Sequence, residues 1–302
     1  MGYRYKLGKR TYETAQTRAA IVLLLPTLIA LGILFIYPVI RVFVLSFTNT
    51  NTITNVSIPN GWKNYEYLMK NALFSKSFFN TVKFTLAKLT LEIVISLGLA
   101  VLLDEHVPCR KYLRISYFAP VIVPVVASSI VWMWLYDPQL GPLNQILKFL
   151  NLPTSNYIYS EKSALWSIVA FAVWRGIGYD IIVFISGLQG ISDSVVEAAQ
   201  IDGASETQIF LRVKLPLLRP IIAFVVMMGL IGCFQAFTEV DIMTDGGPNY
   251  STMLMVNYIY SQAFGNAKMG RGAAASVVLF LVIFVLTLFQ KIMSDRKEAH
   301  NG

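Results

Sequence analysis

Charge is what this 302-residue chain has least of: Asp, Glu, Lys and Arg make up 14% of it, against 55% apolar residues. A soluble domain carries about 25% charged residues, and so little charge cannot cover a surface that faces water. The chain reads as a membrane protein. Cysteine and histidine are nearly absent as well: Cys109, Cys233, His106 and His300 are the only ones. A disulfide framework and a Cys/His metal cluster are therefore excluded. The net charge of +8 suits either nucleic acid or an anionic bilayer surface, and the hydrophobicity decides for the bilayer, with no nucleic-acid partner expected.

What is present is long apolar runs. Crossing a hydrocarbon core of ~30 Å takes ~20 apolar residues in a helix, and six stretches approach that length. They are residues 19–40, continuing past Arg41 to 47; 78–103, interrupted by Lys83, Lys88 and Glu92; 115–136; 163–188, with Arg175 and Asp180; 220–238; and 272–290. The expected fold class is an all-α integral membrane protein, with six transmembrane helices in one domain over residues 19–292, a segment 1–18 before it and a tail 293–302 after it. Pro26, Pro38, Pro120 and Pro124 fall inside apolar runs and read as kinks in packing helices.

Orientation follows from Lys and Arg in the short connections. With the N-terminus inside, 14 of them fall on inside segments and 7 on outside ones. Both termini are expected in the cytoplasm. The basic start before an apolar run has the look of a signal peptide, but the run exceeds the ~7–15 residue core of a cleaved signal and no small-residue cleavage site follows. It is read as the first helix.

The connection 192–216 does not have the composition of a loop. Ser194 with Glu197, and Ser205 with Gln208, each read as a capping box. Gly203 after Asp202 supplies a stop and a corner, and Pro216 ends the second helix. Helices this short are unstable alone. Val195, Ala198, Ala199 and Asp202 share one face of the first, and Ile209, Phe210 and Val213 are offered by the second. Such a pair docks a partner, or lies on the bilayer or on the protein's own spans.

Glu197-Ala198-Ala199, Gly203, Val213 and Leu215-Pro216 resemble the EAA loop of permease subunits of bacterial binding-protein-dependent ABC importers, with Val213 as a conservative departure from Ile. Asp202-Gly203-Ala204 and Phe210 are similar to the carbohydrate branch, the maltose and glycerol-phosphate type. Gly187-Leu188-Gln189, Thr244-Asp-Gly-Gly-Pro248 and Asn80-Thr81 add to that resemblance, which covers about residues 19–292.

The resemblance implies a permease in the bacterial cytoplasmic (inner) membrane that forms the path for a sugar or oligosaccharide. Implied partners are a second, homologous permease subunit, two ATP-binding subunits, an extracytoplasmic sugar-binding protein and membrane lipid. The loop 192–216 would be a cytoplasmic helix-turn-helix coupling loop seated in an ATPase cleft, with Glu197, Ala198, Ala199, Asp202, Gly203, Phe210, Leu215 and Pro216 as its coupling residues. Glu197 could instead serve only its capping box. No GxxxxGK[ST] run occurs, so ATP and Mg would be held by the partner subunits, with no cofactor, catalytic residue or metal on this chain.

Ionisable groups inside spans cost ~2.5–3.5 kcal/mol each on insertion scales, so each asks for a partner or water. Lys88 and Glu92, four apart, read as a structural pair. Arg175 and Asp180, five apart, face away from each other. By resemblance to the maltose type, sugar contacts fall on Gly176 and Tyr179 and near Cys233 and Ala236. The last two lack that site's polar groups, and Gln235 is a substitute. The expected pathway set is Arg175, Gly176, Tyr179, Asp180 and Gln235. The alternative cargo is glycerol 3-phosphate or another phosphorylated polyol, with Arg175 as anion partner. Readings of other classes are an ion-coupled transporter using Glu92 and Asp180, and an integral membrane enzyme, against which the lack of HExxH and GxSxG motifs argues. The loop 49–77, with Trp62, Tyr65 and Tyr67, is either a seat for the external binding protein or an interface belt.

Overall fold

The computed structural model describes residues 17, 20–54, 56–104 and 110–299. Cys109, His106, His300 and all of the segment 1–18 except Thr17 lie outside them. Four helices are long and apolar enough to cross a membrane: α1 (Ala20–Ser46), α3 (Ala72–Asp104), α7 (Ala164–Leu188) and α13, whose apolar stretch is Met269–Ser294 within Met269–Ala299. Between α1 and α3 lies α2 (Lys63–Lys70). Two bent pairs complete the bundle, each able to count as one more span: α4 (Arg110–Ile122) with α5 (Val125–Leu135), and α9 (Glu206–Leu217) with α10 (Arg219–Phe234).

The expected kink at Pro124 within the span 115–136 is a full break. The chain turns by 110° between α4 and α5. Pro124 lacks a donor and disfavours helical backbone at Val123, so the ladder stops and restarts with Pro124, in an extended conformation, as the N-cap of α5. Proline also accounts for the widened turn Gly32–Ile36 in α1, where the Tyr37 N–H reaches the Gly32 carbonyl just ahead of Pro38.

The expected run 220–238 is corrected too. Helix α10 stops at Phe234, and residues 235–237 are non-helical before α11 (Thr238–Met243). No proline or glycine stands at this break. Phe234 is buried in a cluster with Leu68, Tyr258 and Ala274, whereas Ala236 and Val240 are buried in another with Phe84, Ile168 and Ala172. The chain leaves the helix to serve both, and the Phe237 carbonyl that opens α11 accepts the Asp241 N–H at 2.9 Å and the Asn257 side-chain amide at 3.3 Å.

The fold is not purely helical. Residues Thr48–Thr50 (β1) and Ser57–Pro59 (β2) form an antiparallel hairpin, with Thr48 opposite Pro59 and Thr50 opposite Ser57. Asn64 of α2 holds it, donating to the Ser46 and Thr48 carbonyls at 2.8 Å each. A small gap in α13 lets it close: a β-carbon on Gly270 would collide with the Thr48 carbonyl oxygen.

At the hairpin end of the bundle, two motifs distant in sequence form one assembly. The Asn80 amide donates to the Tyr250 and Met253 carbonyls at 3.1 and 3.2 Å, and the Thr81 hydroxyl accepts the Met255 N–H at 2.9 Å. The Thr244–Pro248 turn rests on Thr252, whose hydroxyl donates to the Gly247 carbonyl at 2.8 Å. Gly246, at φ +81, supplies a left-handed angle there. From this turn the chain runs through α12 (Met255–Tyr260) into α13.

Candidate coupling loop and transmembrane charge cluster

Helices α3 and α7 run side by side in the same direction, with Phe84 against Ile168 near one end and Ala100 against Phe184 and Leu188 near the other. Between these contacts lies the charged centre. Lys88 and Glu92 form the expected ion pair, with Nζ 2.5 Å from the carboxylate and Glu92 only 5% exposed in its side chain. It is the only salt bridge among the described residues. The Glu92 carboxylate occupies the space that a β-carbon on Gly176 would fill, so the glycine is what admits a charged group between the helices. Gly178, two residues on, lets α4 approach: its β-carbon would strike the Tyr117 carbonyl.

Asp180 is buried on α7 and shares the electrostatic field of Lys88 and Glu92, while Cys233 of α10 closes the group. Arg175 and Asp180 do not pair, as their spacing requires. The Arg175 Nε is buried with no hydrogen-bond partner. Tyr179 is about half exposed and Gln235 is exposed, whereas Cys233 and Ala236 lie in the core cluster. The five expected pathway residues thus split three ways. Gly176 and Asp180 belong to the charge cluster, Tyr179 and Gln235 project from the chain, and Arg175 has an uncommitted nitrogen. Sequence reasoning missed the joining of Gly176 to Glu92. The signal was a glycine and a buried acid on two spans, which nothing local relates.

At the opposite end, α8 (Asp193–Ile201) is followed by Gly203 and then by α9. Gly203 takes φ +80 with open space around it, and the Ala204 N–H closes back on the Ala199 carbonyl at 3.0 Å. The Ser205–Gln208 capping box forms, with the Ser205 N–H donating to the Gln208 side chain at 2.9 Å. The Ser194–Glu197 box does not. Ser192, extended at φ −65 and ψ 130, is the N-cap instead. Its hydroxyl meets that of Ser194 at 2.8 Å, which places Ser194 inside the first turn and leaves Glu197 exposed with no bond to the helix start.

One further side chain sits differently from expectation. Ile209 is 1% exposed, so it anchors α9 rather than offering a docking face. Phe210 lines a cavity of about 260 Å³ with Val101, Asp104, Leu188, Glu206, Thr207 and Lys214. Glu197, Ala198 and Asp202 are exposed, with Ala199 half-buried. Leu215 and Pro216 follow the widened turn Phe210–Lys214 of α9 and precede the 64° bend into α10. Leu218 at that bend is buried beside Gly187, where an added β-carbon would come within 2.9 Å of it.

Residues 92–299 match the family described as binding-protein-dependent transport system inner membrane component. The chain is 31% identical over 277 residues to the sn-glycerol-3-phosphate transport system permease protein UgpA of Pectobacterium atrosepticum, covering 91% of this chain and 94% of that one. It is 30% identical to the arabinooligosaccharides transport system permease protein AraP of Bacillus subtilis (89% and 86% covered). It is 31% identical to the multiple sugar-binding transport system permease protein MsmF of Streptococcus mutans (91% and 94%). In fold it is similar to a chain of a bacterial ABC transporter involved in the import of the acidic polysaccharide alginate, with a TM-score of 0.83, 22% identity, and 95% and 99% of the two chains covered. With match, identity and coverage in agreement, this chain belongs to the binding-protein-dependent transport system inner membrane components.

Proposed function

We propose that this chain is the permease of an ATP-driven importer and forms, with a second permease of the same family, the path of a sugar or oligosaccharide. Two ATP-binding subunits on the cytoplasmic side and an extracytoplasmic sugar-binding protein complete the complex. The observation that carries this reading is the corner at Gly203. A short helix with Glu197 and Ala198 exposed is held on a second helix rooted by buried Ile209, which is the form of an element that receives a push from a partner.

The route of that push follows from packing. Movement of α8 passes through α9 to the Leu218 bend, which rests on Gly187 of α7 and opens into α10. Those two helices carry Arg175, Tyr179, Asp180 and Gln235 farther along. Nucleotide bound to the partners would favour one arrangement of α7 and α10 over the other, a differential affinity for two states. The chain itself does no chemistry. Tyr179 offers a ring face to a sugar, and Gln235 a donor and an acceptor for hydroxyls. Both termini lie in the cytoplasm in this arrangement, with the hairpin end outside.

A photo-crosslinker placed at Ala198 in the assembled complex is expected to capture an ATP-binding subunit. Capture of lipid alone would contradict the reading. A second reading, transport of a phosphorylated polyol, draws on the Arg175 guanidinium, half-buried and with no ion pair among the described residues, as a donor for an anionic oxygen.

A further inference from the structure

Between α5 and α7 the chain forms a short helix, α6 (Pro142–Phe149), whose amphipathicity is reversed relative to water. Its ends are sharply defined. Pro142 stands at the first helical position, where a missing N–H costs nothing. At the other end Asn151 takes φ 55, and the Leu152 N–H closes back on the Leu147 carbonyl at 2.8 Å.

The residue this helix buries is polar. Asn144 is 1% exposed and fully used: its amide donates to the Pro138 and Ser155 carbonyls at 3.0 and 2.8 Å, and its oxygen accepts the Ser155 N–H at 3.0 Å. The preceding turn is pinned as well, with the Asp137 carboxylate accepting the Gln139 and Leu140 N–H groups at 2.9 and 2.7 Å. The outward face is apolar. Phe149 is 86% exposed, Ile146 and Leu150 more than half, and Leu140 continues the ridge from the turn before the helix. A loop this firmly held does not expose such residues by fraying.

Its position says what covers them. Exposed Trp134 closes α5 and exposed Trp166 opens α7. Aromatic rings of this kind at span ends mark the level where hydrocarbon meets headgroups, and α6 lies in the chain between these two. Lys148 stands beside the ridge, on the side of Asn144, placed for anionic headgroups.

We propose that α6 lies in the plane of the bilayer interface at the hairpin end, with Ile146, Phe149 and Leu150 sunk into that leaflet as a float that fixes the height of the α5–α7 connection. This is the mode of an interfacial amphipathic helix, here clamped to the protein by Asn144.

The test uses the assembled transporter in its native membrane. p-Benzoylphenylalanine, a close relative of the side chain it replaces, is introduced at Phe149, and in separate variants at Ile146 and Gln145. After illumination, mass spectrometry of the purified chain reads the adducts. Phospholipid adducts are expected to dominate at 146 and 149, several-fold above those at Gln145 on the flank of the ridge. Dominant crosslinks to a permease or to the external binding protein would overturn the proposal, because the ridge would then be a protein interface. Absence of adducts, or equal lipid capture at all three positions, would overturn it too.

Discussion

The Glu92 carboxylate lies where the β-carbon of an alanine at position 176 would stand. Two spans meet around a buried charge, and the meeting requires glycine on one of them.

Gly176→Ala should therefore push Glu92 off its seat and loosen its pairing with Lys88. Alanine improves helix propensity by ~1 kcal/mol, yet overpacking costs ~1–3 kcal/mol. Net destabilisation of the complex is expected in thermal unfolding in detergent. The double variant with Glu92→Ala should recover part of the loss, since the two residues touch. Additive losses would show that the carboxylate is not what the methyl meets.

Tyr179→Ala should weaken sugar uptake while leaving assembly and basal ATP hydrolysis near wild type, because Tyr179 is half exposed and outside the core clusters. Size-exclusion profiles of the complex check this. Failure to assemble would identify Tyr179 as an interface residue between permeases.

Removing Arg175 separates the two cargo readings. The Arg175 guanidinium, half-buried and without an ion pair among the described residues, would form a charge-assisted bond to a phosphate ester, worth ~1.5–3 kcal/mol. Arg175→Gln should therefore reduce uptake of glycerol 3-phosphate severely and of a neutral oligosaccharide slightly. Equal losses for both would make Arg175 a structural residue.

The four unbroken spans were legible from hydropathy alone, since apolar runs of that length have one stable setting. The Lys88–Glu92 pair was legible from a spacing of four. The break at Pro124 was present in the sequence as an X-Pro step, and reading it as a kink underestimated what the loss of both a donor and helical backbone at Val123 does. The break at Gln235 was not legible, because buried Phe234 and Ala236 are drawn into different clusters and no local residue signals it. The first capping box failed because two serines two apart compete for one N-cap, and the pattern cannot say which one takes the extended backbone.

Asn80→Ala should loosen the 244–255 segment, which hangs on two hydrogen bonds from that amide. The expected effect is ~1–3 kcal/mol from unpaired buried carbonyls. Hydrogen exchange should show faster exchange confined to that segment and α12. Unchanged exchange there would contradict the assignment.

In the proposed assembly the Gly203 corner presents α8 to the ATP-binding subunits. Sugar-stimulated ATP hydrolysis by the reconstituted transporter, compared across Glu197→Ala, Gly203→Val and Ser194→Ala, tests it most directly. A β-carbon at φ +80 costs ~1–2 kcal/mol and re-aims the helix. Ser194 caps nothing, so its removal touches neither the corner nor the contact. The first two changes are expected to abolish stimulation or release the ATP-binding subunits, and Ser194→Ala to retain most of it. Equal defects at Ser194 and Glu197, or wild-type stimulation in Gly203→Val, would contradict it.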